Sequence, residues 1–366
     1  MSRKHILIVV GTRPNFIKVT RFKSIAKEEF PQFNIKIAHT NQHFDASMAD
    51  VFFKQFNLVP DFVLPVKPNR PVKQMAQIMT TLDELLEEQF SPDLMIVPGD
   101  VNSTLAAALV ANKRGIRLAH LESGLRSFDQ QMPEEWNRIV TDTLSNIHFV
   151  TESSGQENLK REGFNDSVYM VGNTMIDTLV HFKPHIQASG ILETLSLSAH
   201  DFVLMTIHRP SNVDQKEGIE QLMEILEFLQ QHTTVVFPIH PRTRGNIEKF
   251  GMLKRFQHIK RLKLIEPLGY MDFQKLIASC TCVLTDSGGI QEETTFLQKP
   301  CLTLRNNTER PVTIEKGTNT LVPFKSEDII EHLTAIFSGS YKQGVIPDLW
   351  DGNATHRILT HLDRLL

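Results

Sequence analysis

The chain has little of several things, and each shortage excludes a class of protein. It holds three cysteines, Cys280, Cys282 and Cys301, too few for a disulfide framework and without zinc-ligand spacing. Their apolar neighbours make them reduced core thiols. Two tryptophans and three tyrosines stand against 23 phenylalanines, a bias that suits core filling rather than base stacking. The net charge is only −3 and basic residues are scattered, so there is no electrostatic footprint for nucleic acid. No apolar run reaches the length that spans a bilayer. The apolar stretch 6–10 behind Arg3 and Lys4 is too short for a secretory leader and ends at Gly11, so it reads as a first strand. The three spaced glycines of a dinucleotide fingerprint are missing, and so is any His/Asp spacing for a dedicated metal site. The expected compartment is the cytoplasm.

What is present is an ordinary globular composition, 41% hydrophobic and 22% charged, over 366 residues, a length that fits two domains. Strand and helix signals alternate. Strands are expected at 6–10, 35–39, 94–97, 117–121 and 147–150, with helices at 16–30, 72–90, 103–114 and 134–144 between them. The rhythm repeats with strands at 202–206, 234–238, 262–265, 282–284 and 301–304 and helices at 218–230, 273–278 and 327–337. A stretch of weak pattern covers 183–200, and 353–366 has a helical pattern. Short apolar strands separated by helices mean βαβ units and mostly parallel sheets. The expectation is an α/β protein of two Rossmann-like domains, 1–172 and 173–352, with ligand in the interdomain cleft at the strand C-termini.

The polar motifs fall at those strand ends. Asp286-Ser287-Gly288-Gly289 lies between an apolar strand and a helix start, the local geometry that cradles phosphate. Glu293, one turn on, is placed for ribose hydroxyls, so the motif suggests a nucleoside diphosphate. A tight turn with a serine cap is the plain alternative. Gly11-Thr12-Arg13-Pro14-Asn15 follows the first strand, and Arg13 and Lys18 offer two cations to a diphosphate. Gly99-Asp100 and His120-Leu121-Glu122 end two further strands, and Pro133-Glu134-Glu135 opens a helix. Asp100, Glu122 and Glu134 share one sheet edge, where carboxylates serve proton abstraction and return. Helix capping and interaction with a helix N-terminus are the plain alternatives. His208-Arg209 ends the first strand of the second half, and His240 ends the next, placed for phosphate contact or acid–base work. Arg310 adds a cation after the strand at 301–304.

In this order, and over essentially the whole chain, these motifs resemble the non-hydrolysing UDP-N-acetylglucosamine 2-epimerase family. The matching segments include Gly11-Thr-Arg-Pro14 with Lys18, Gly99-Asp100, His120-x-Glu122-x-Gly-Leu-Arg126 and Pro133-Glu-Glu-x-Asn-Arg138. They continue with Gly172-Asn-Thr-x-Ile-Asp177, His208-Arg209, Asp286 through Glu293 and Thr308-Glu-Arg-Pro311. The resemblance implies a glycosyltransferase-B-like fold whose last helix, 353–366, returns to the first domain. It also implies a reaction: C2 of a UDP-2-acetamido sugar loses its proton, UDP leaves from C1, and both return to a bound glycal with C2 inverted. Arg13, His208 and Arg310 would meet leaving-group charge, and Asp100, Glu122 and Glu134 would move protons. Ser287, Gly288 and Gly289 would hold phosphate, Glu293 ribose, and Phe273 would lie by the uracil. No redox cofactor and no metal are implied, and a homodimer is the family expectation.

The chain departs from many relatives at Asn15, Val101 and Pro210-Ser211, and the segment between Glu122 and Glu134 is shorter. The reaction type survives these changes, while the sugar stays open between UDP-N-acetylglucosamine and diacetamido or uronic acid relatives. Some bacterial members are activated by a second substrate molecule, and Gln42-His43 matches part of that region. A hydrolysing epimerase, a glycosyltransferase and a catalytically silent nucleotide-sugar-binding protein are the competing readings.

Overall fold

A computed structural model describes residues 3–42 and 55–366, so His43 lies outside the described residues. By its contacts the chain forms two compact units, Met1–His181 with Asp348–Leu366, and Phe182–Pro347.

The first unit is built on seven strands: β1 (Lys4–Val10), β2 (Phe33–His39), β3 (Phe62–Val63), β4 (Leu94–Pro98), β5 (Arg117–Leu121), β6 (Ile147–Val150) and β7 (Val168–Met170). They are ordered β3-β2-β1-β4-β5-β6-β7, every pair parallel. The order reverses between β1 and β4, the switch point at which doubly wound sheets bind ligands. Ile6 to Val10 of β1 are at most 1% exposed, as expected of a central strand covered on both faces. One face is covered by Ile78 and Leu82 of the helix Pro71–Glu88 and Ala107 and Ala111 of the helix Asn102–Arg114.

The second unit repeats the plan with β8 (Phe202–Thr206), β9 (Thr234–Pro238), β10 (Leu262–Ile265), β11 (Cys282–Thr285), β12 (Cys301–Thr303) and β13 (Asn319–Leu321). Their order is β10-β9-β8-β11-β12-β13, again parallel throughout. The two-residue period of a strand is visible along β8. Val203 and Met205 join the cluster with Ile219 and Leu226, while Phe202 and Leu204 join the one with Leu276 and Ile277. The three cysteines are buried and free, and burial pushes the Cys280 and Cys301 thiols up to about 12 and about 11.

The first unit extends beyond Gly172, the boundary read from sequence, to take in the helix Thr174–His181. The reason is a cap: Asp177 accepts the backbone N–H groups of Ala354 at 3.0 Å and Thr355 at 2.6 Å. It thereby fixes the N-terminus of the final helix Ala354–Leu365. Trp350 Nε1 donates to the Thr151 carbonyl at 3.1 Å and Arg357 to that of Val171 at 3.0 Å, so the terminal segment belongs to this unit. The single helix expected over 16–30 is two, Arg13–Ile17 and Phe22–Glu29. Residues 183–200 carry two short helices, Lys183–Gln187 and Ile191–Thr194. Among the described residues no helix is long and apolar enough to cross a membrane.

Candidate active site

In the first unit the loops after β1, β4 and β5 are tied together by side chains. Asn15 Oδ1 accepts from the Gly11 and Thr12 backbone N–H groups at 3.1 Å each, and its Nδ2 donates to the Pro98 carbonyl at 3.0 Å. Only 1% exposed, Asn15 braces the β1 turn against the end of β4. Lys18, read from sequence as a cation for diphosphate, is instead turned inward. Its Nζ lies 2.7 Å from Glu122 Oε2, both side chains nearly sealed from solvent. Gly99 sits against this pair, since a Cβ there would lie 2.8 Å from Lys18 Nζ and 3.8 Å from Glu122 Oε2. Its φ of +67° is a second reason for glycine. Glu122 has φ +66°, a left-handed conformation uncommon for such a residue and the kind of strain that surrounding contacts must hold.

Asp100 follows Gly99 and accepts from Arg138 Nη1, while its backbone carbonyl accepts from Asn137 Nδ2 at 2.8 Å. Both partners stand on the helix Pro133–Leu144. Arg138 is 2% exposed and also donates to Glu135 Oε2 at 2.6 Å. Glu135 in turn accepts the N–H groups of Ser127 and Phe128 at 2.9 Å each. Burial acts to raise the Glu135 carboxyl, but these donors and Arg138 prevail and hold it below the ordinary range. Glu135 and Arg138 therefore anchor the loop and Asp100. Glu134, its neighbour, is exposed in the first turn of the same helix. The structure thus joins Lys18, Glu122, Gly99, Asp100 and Arg138 by contact and places Glu134 by helix position alone. Arg13 is half-buried at the start of the helix after β1.

In the second unit the switch point lies between β8 and β11, and their ends are joined by Asp286. Fully buried, it accepts the N–H groups of His208 at 2.8 Å and Arg209 at 2.7 Å with Oδ2, and Oδ1 lies 2.9 Å from His208 Nδ1. The carboxylate thus holds the backbone at His208 and Arg209 and stands within ion-pair distance of the imidazole of His208, a side chain 40% exposed. Burial acts to raise the Asp286 carboxyl, but His208 and the two N–H donors outweigh it and lower it. Sequence reading assigns Asp286 no role. The signal for one is its position, at the end of the strand adjacent to the one that carries His208.

Ser287 is the N-cap of the helix Gly288–Phe296 but makes no side-chain capping bond, which removes the plain capping explanation. The helix N-terminus presents its N–H groups beside a buried charge cluster. A Cβ on Gly288 would lie 2.9 Å from Glu309 Oε1 and 3.3 Å from Arg310 Nη1. Arg310 is bonded to Glu309 and pairs with Glu292 at 2.9 Å, and Arg305 Nη2 donates to Glu309 at 3.0 Å. Nothing in the sequence pattern singles out Arg305. Such a cluster fixes cations beside the helix N-terminus, where an anion would sit. Glu293 is buried one turn on. Burial, reinforced by the Glu293 charge, pushes the Tyr270 hydroxyl well above its usual range. Phe273 is half-buried against the core with Ile290. His240 acts locally. Its Nδ1 accepts from the Arg242 N–H at 3.1 Å, capping the helix Pro241–Lys249, with its ring 5.2 Å from that of His208. Among the described residues no group of three or more His, Cys, Asp or Glu side chains is arranged to hold a metal ion.

Two doubly wound parallel sheets, one with Lys18-paired Glu122 and Arg138-paired Asp100 at its strand ends and one with Asp286-paired His208 beside a helix N-terminus, define a nucleotide-sugar enzyme class of glycosyltransferase-B-like fold. The profile of the UDP-N-acetylglucosamine 2-epimerase family matches residues 25–363, and the chain belongs to that family. A Methanococcus maripaludis protein named UDP-N-acetylglucosamine 2-epimerase homolog is 38% identical over 98% of this chain and 99% of its own. The Pseudomonas aeruginosa UDP-2,3-diacetamido-2,3-dideoxy-D-glucuronate 2-epimerase is 36% identical over the same shares. The crystal structure of the Methanocaldococcus jannaschii UDP-GlcNAc 2-epimerase in complex with UDP-GlcNAc and UDP superposes with a TM-score of 0.89. It is 35% identical and covers 98% of this chain and 99% of that one.

Proposed function

We propose that the chain inverts C2 of a UDP-2-acetamido sugar, interconverting UDP-N-acetylglucosamine and UDP-N-acetylmannosamine. A base takes the C2 proton, and the C–H electron pair forms the C1–C2 double bond of a glycal. The C1–O bond breaks and UDP departs with its electrons. A second group then delivers a proton to the opposite face of C2 and UDP re-adds at C1, so no oxidant, reductant or cofactor is consumed.

The observation that carries this reading is the Lys18–Glu122 pair beside Gly99–Asp100. Lys18 gives buried Glu122 a charged partner, and Arg138 gives one to half-buried Asp100, so two carboxylates are held in place for proton transfer. Glu134 is the third candidate for the proton-transfer set. In the second unit the N-terminus at Ser287, Gly288 and Gly289 takes the diphosphate, Arg310 adds a cation, and His208, paired with Asp286, meets the charge that grows on the departing UDP; Arg13, in the first unit, is the remaining candidate cation. Glu293 and Phe273 are assigned to ribose and uracil. His240 supports His208 by ring contact. A homodimer in the cytoplasm, working toward surface polysaccharide precursors, completes the proposal.

Incubation with UDP-N-acetylglucosamine, followed by chromatography, tests it. UDP-N-acetylmannosamine is expected. Free N-acetylmannosamine would mean hydrolysis, and unchanged substrate that nonetheless binds would mean a silent binding protein. The kinship to the diacetamido glucuronate epimerase gives the second substrate to try, a UDP-2,3-diacetamido uronic acid.

A further inference from the structure

His120 and Asp142 are buried completely, and the chemistry above uses neither. His120 Nδ1 lies 2.6 Å from Asp142 Oδ1, and Nε2 lies 2.7 Å from the Gly99 carbonyl oxygen. A carbonyl oxygen only accepts, and Asp142, also paired with Arg126 at 2.8 Å, is a carboxylate that only accepts, so the ring donates from both nitrogens. The other Asp142 oxygen accepts the Gly124 N–H at 3.0 Å. His148 closes the network, its Nε2 lying 2.9 Å from the Asp142 carbonyl.

The targets of these bonds matter more than their number. The Gly99 carbonyl belongs to the peptide unit that leads into Asp100, so its direction sets where Asp100 begins. The Gly124 N–H sits two residues past Glu122, whose left-handed backbone must be held from outside. We infer that His120 and Asp142 are positioning residues that hang both carboxylate-bearing loops, Gly99–Asp100 and Glu122–Gly124, from one buried donor–acceptor pair. Groups of this kind, which never touch substrate, fix the orientation of those that do. The inference rests on Asp100 and Glu122 being the proton-transfer groups.

The test uses His120→Asn, His120→Gln and Asp142→Asn in the full chain, with UDP binding, kcat and KM measured per folded molecule. An asparagine reproduces the Nδ1 donor to Asp142 but not the bond to Gly99, while a glutamine reaches toward Gly99. The expected result for His120→Asn is a kcat loss of roughly 10- to 100-fold with KM and UDP affinity within about twofold of the parent. His120→Gln recovers part of that loss, which a merely space-filling histidine would not show. Asp142→Asn, which replaces the acceptor for Gly124 with a donor or loses its charge pair, lowers kcat likewise and decides the matter where His120→Asn does not fold. Parental kcat in a folded His120→Asn or Asp142→Asn overturns the inference. If Asp100→Asn and Glu122→Gln are themselves active, it is the underlying assignment that fails, and that outcome is separate.

Discussion

Lys18 and Glu122 stand 104 residues apart in the chain and 2.7 Å apart in space, Nζ to Oε2, both inside the first unit. The break between the helices Arg13–Ile17 and Phe22–Glu29 falls at Lys18, where the side chain turns inward instead of continuing a helical face. A cation that sequence spacing offers to a ligand is thereby committed to a carboxylate, and the carboxylate gains a fixed position and a charged partner.

Removing one member of such a pair leaves the other buried and uncompensated. Lys18→Met is expected to destabilise the protein by about 3 kcal/mol and to abolish most turnover. Lys18→Met/Glu122→Gln should be less destabilised than the sum of the single changes, with a coupling of roughly 1–3 kcal/mol in a double-mutant cycle read by urea unfolding. Additive effects would mean that the pair contributes nothing as a pair.

Asp286→Asn removes the negative charge that faces the His208 ring while keeping its shape. Turnover should fall by roughly 100-fold, the usual size of a misplaced acid–base or charge-stabilising group. Steady-state kinetics at saturating substrate would register it. Unchanged kcat would leave Asp286 as a backbone clamp for His208 and Arg209 only.

Gly288→Ala brings a Cβ to 2.9 Å from Glu309 Oε1 and disturbs the cluster that includes Arg310. Calorimetric titration with UDP should show weakening of about tenfold, or 1.4 kcal/mol. Normal UDP affinity would move the diphosphate away from this helix N-terminus.

The buried pair also carries a pH dependence. Burial alone would raise the Asp142 carboxyl, but His120 and Arg126 outweigh it and bring it from 3.8 to about 2. A lowered folded-state value means stability present above the unfolded value, near 3.8, and lost as pH falls through about 2. The contribution is about 2 kcal/mol at neutral pH. Asp142→Asn should therefore lower thermal stability at pH 7 and flatten its fall between pH 4 and pH 2, followed by circular dichroism.

Much of this is legible in the sequence because parallel strands buried on both faces are short apolar runs, and the polar residues that end them mark a sheet edge. The runs at 6–10, 202–206 and 282–284 all lie within central strands. The edge strands β3, β7 and β13, two or three residues each, leave no such run to read. Motif residues stand out as motifs, but their partners do not. Glu135 and Arg138 are spaced i, i+3 on a helix, a local signal that sequence reading can use. Lys18–Glu122, His120–Asp142 and Asp286–His208 are made by chain crossings that no spacing predicts. Glu134 remains as its sequence position describes it, an acidic residue in a first helical turn.

The most direct measurement is proton NMR of the purified protein with UDP-N-acetylglucosamine in deuterated water. Deuterium is expected at C2, entering as UDP-N-acetylmannosamine appears, with no incorporation in Glu122→Gln. An epimer that forms without solvent deuterium would contradict removal and replacement of the C2 proton by two separate acid–base groups. So would full exchange in the Glu122→Gln protein, which would remove the pair with Lys18 from the chemistry.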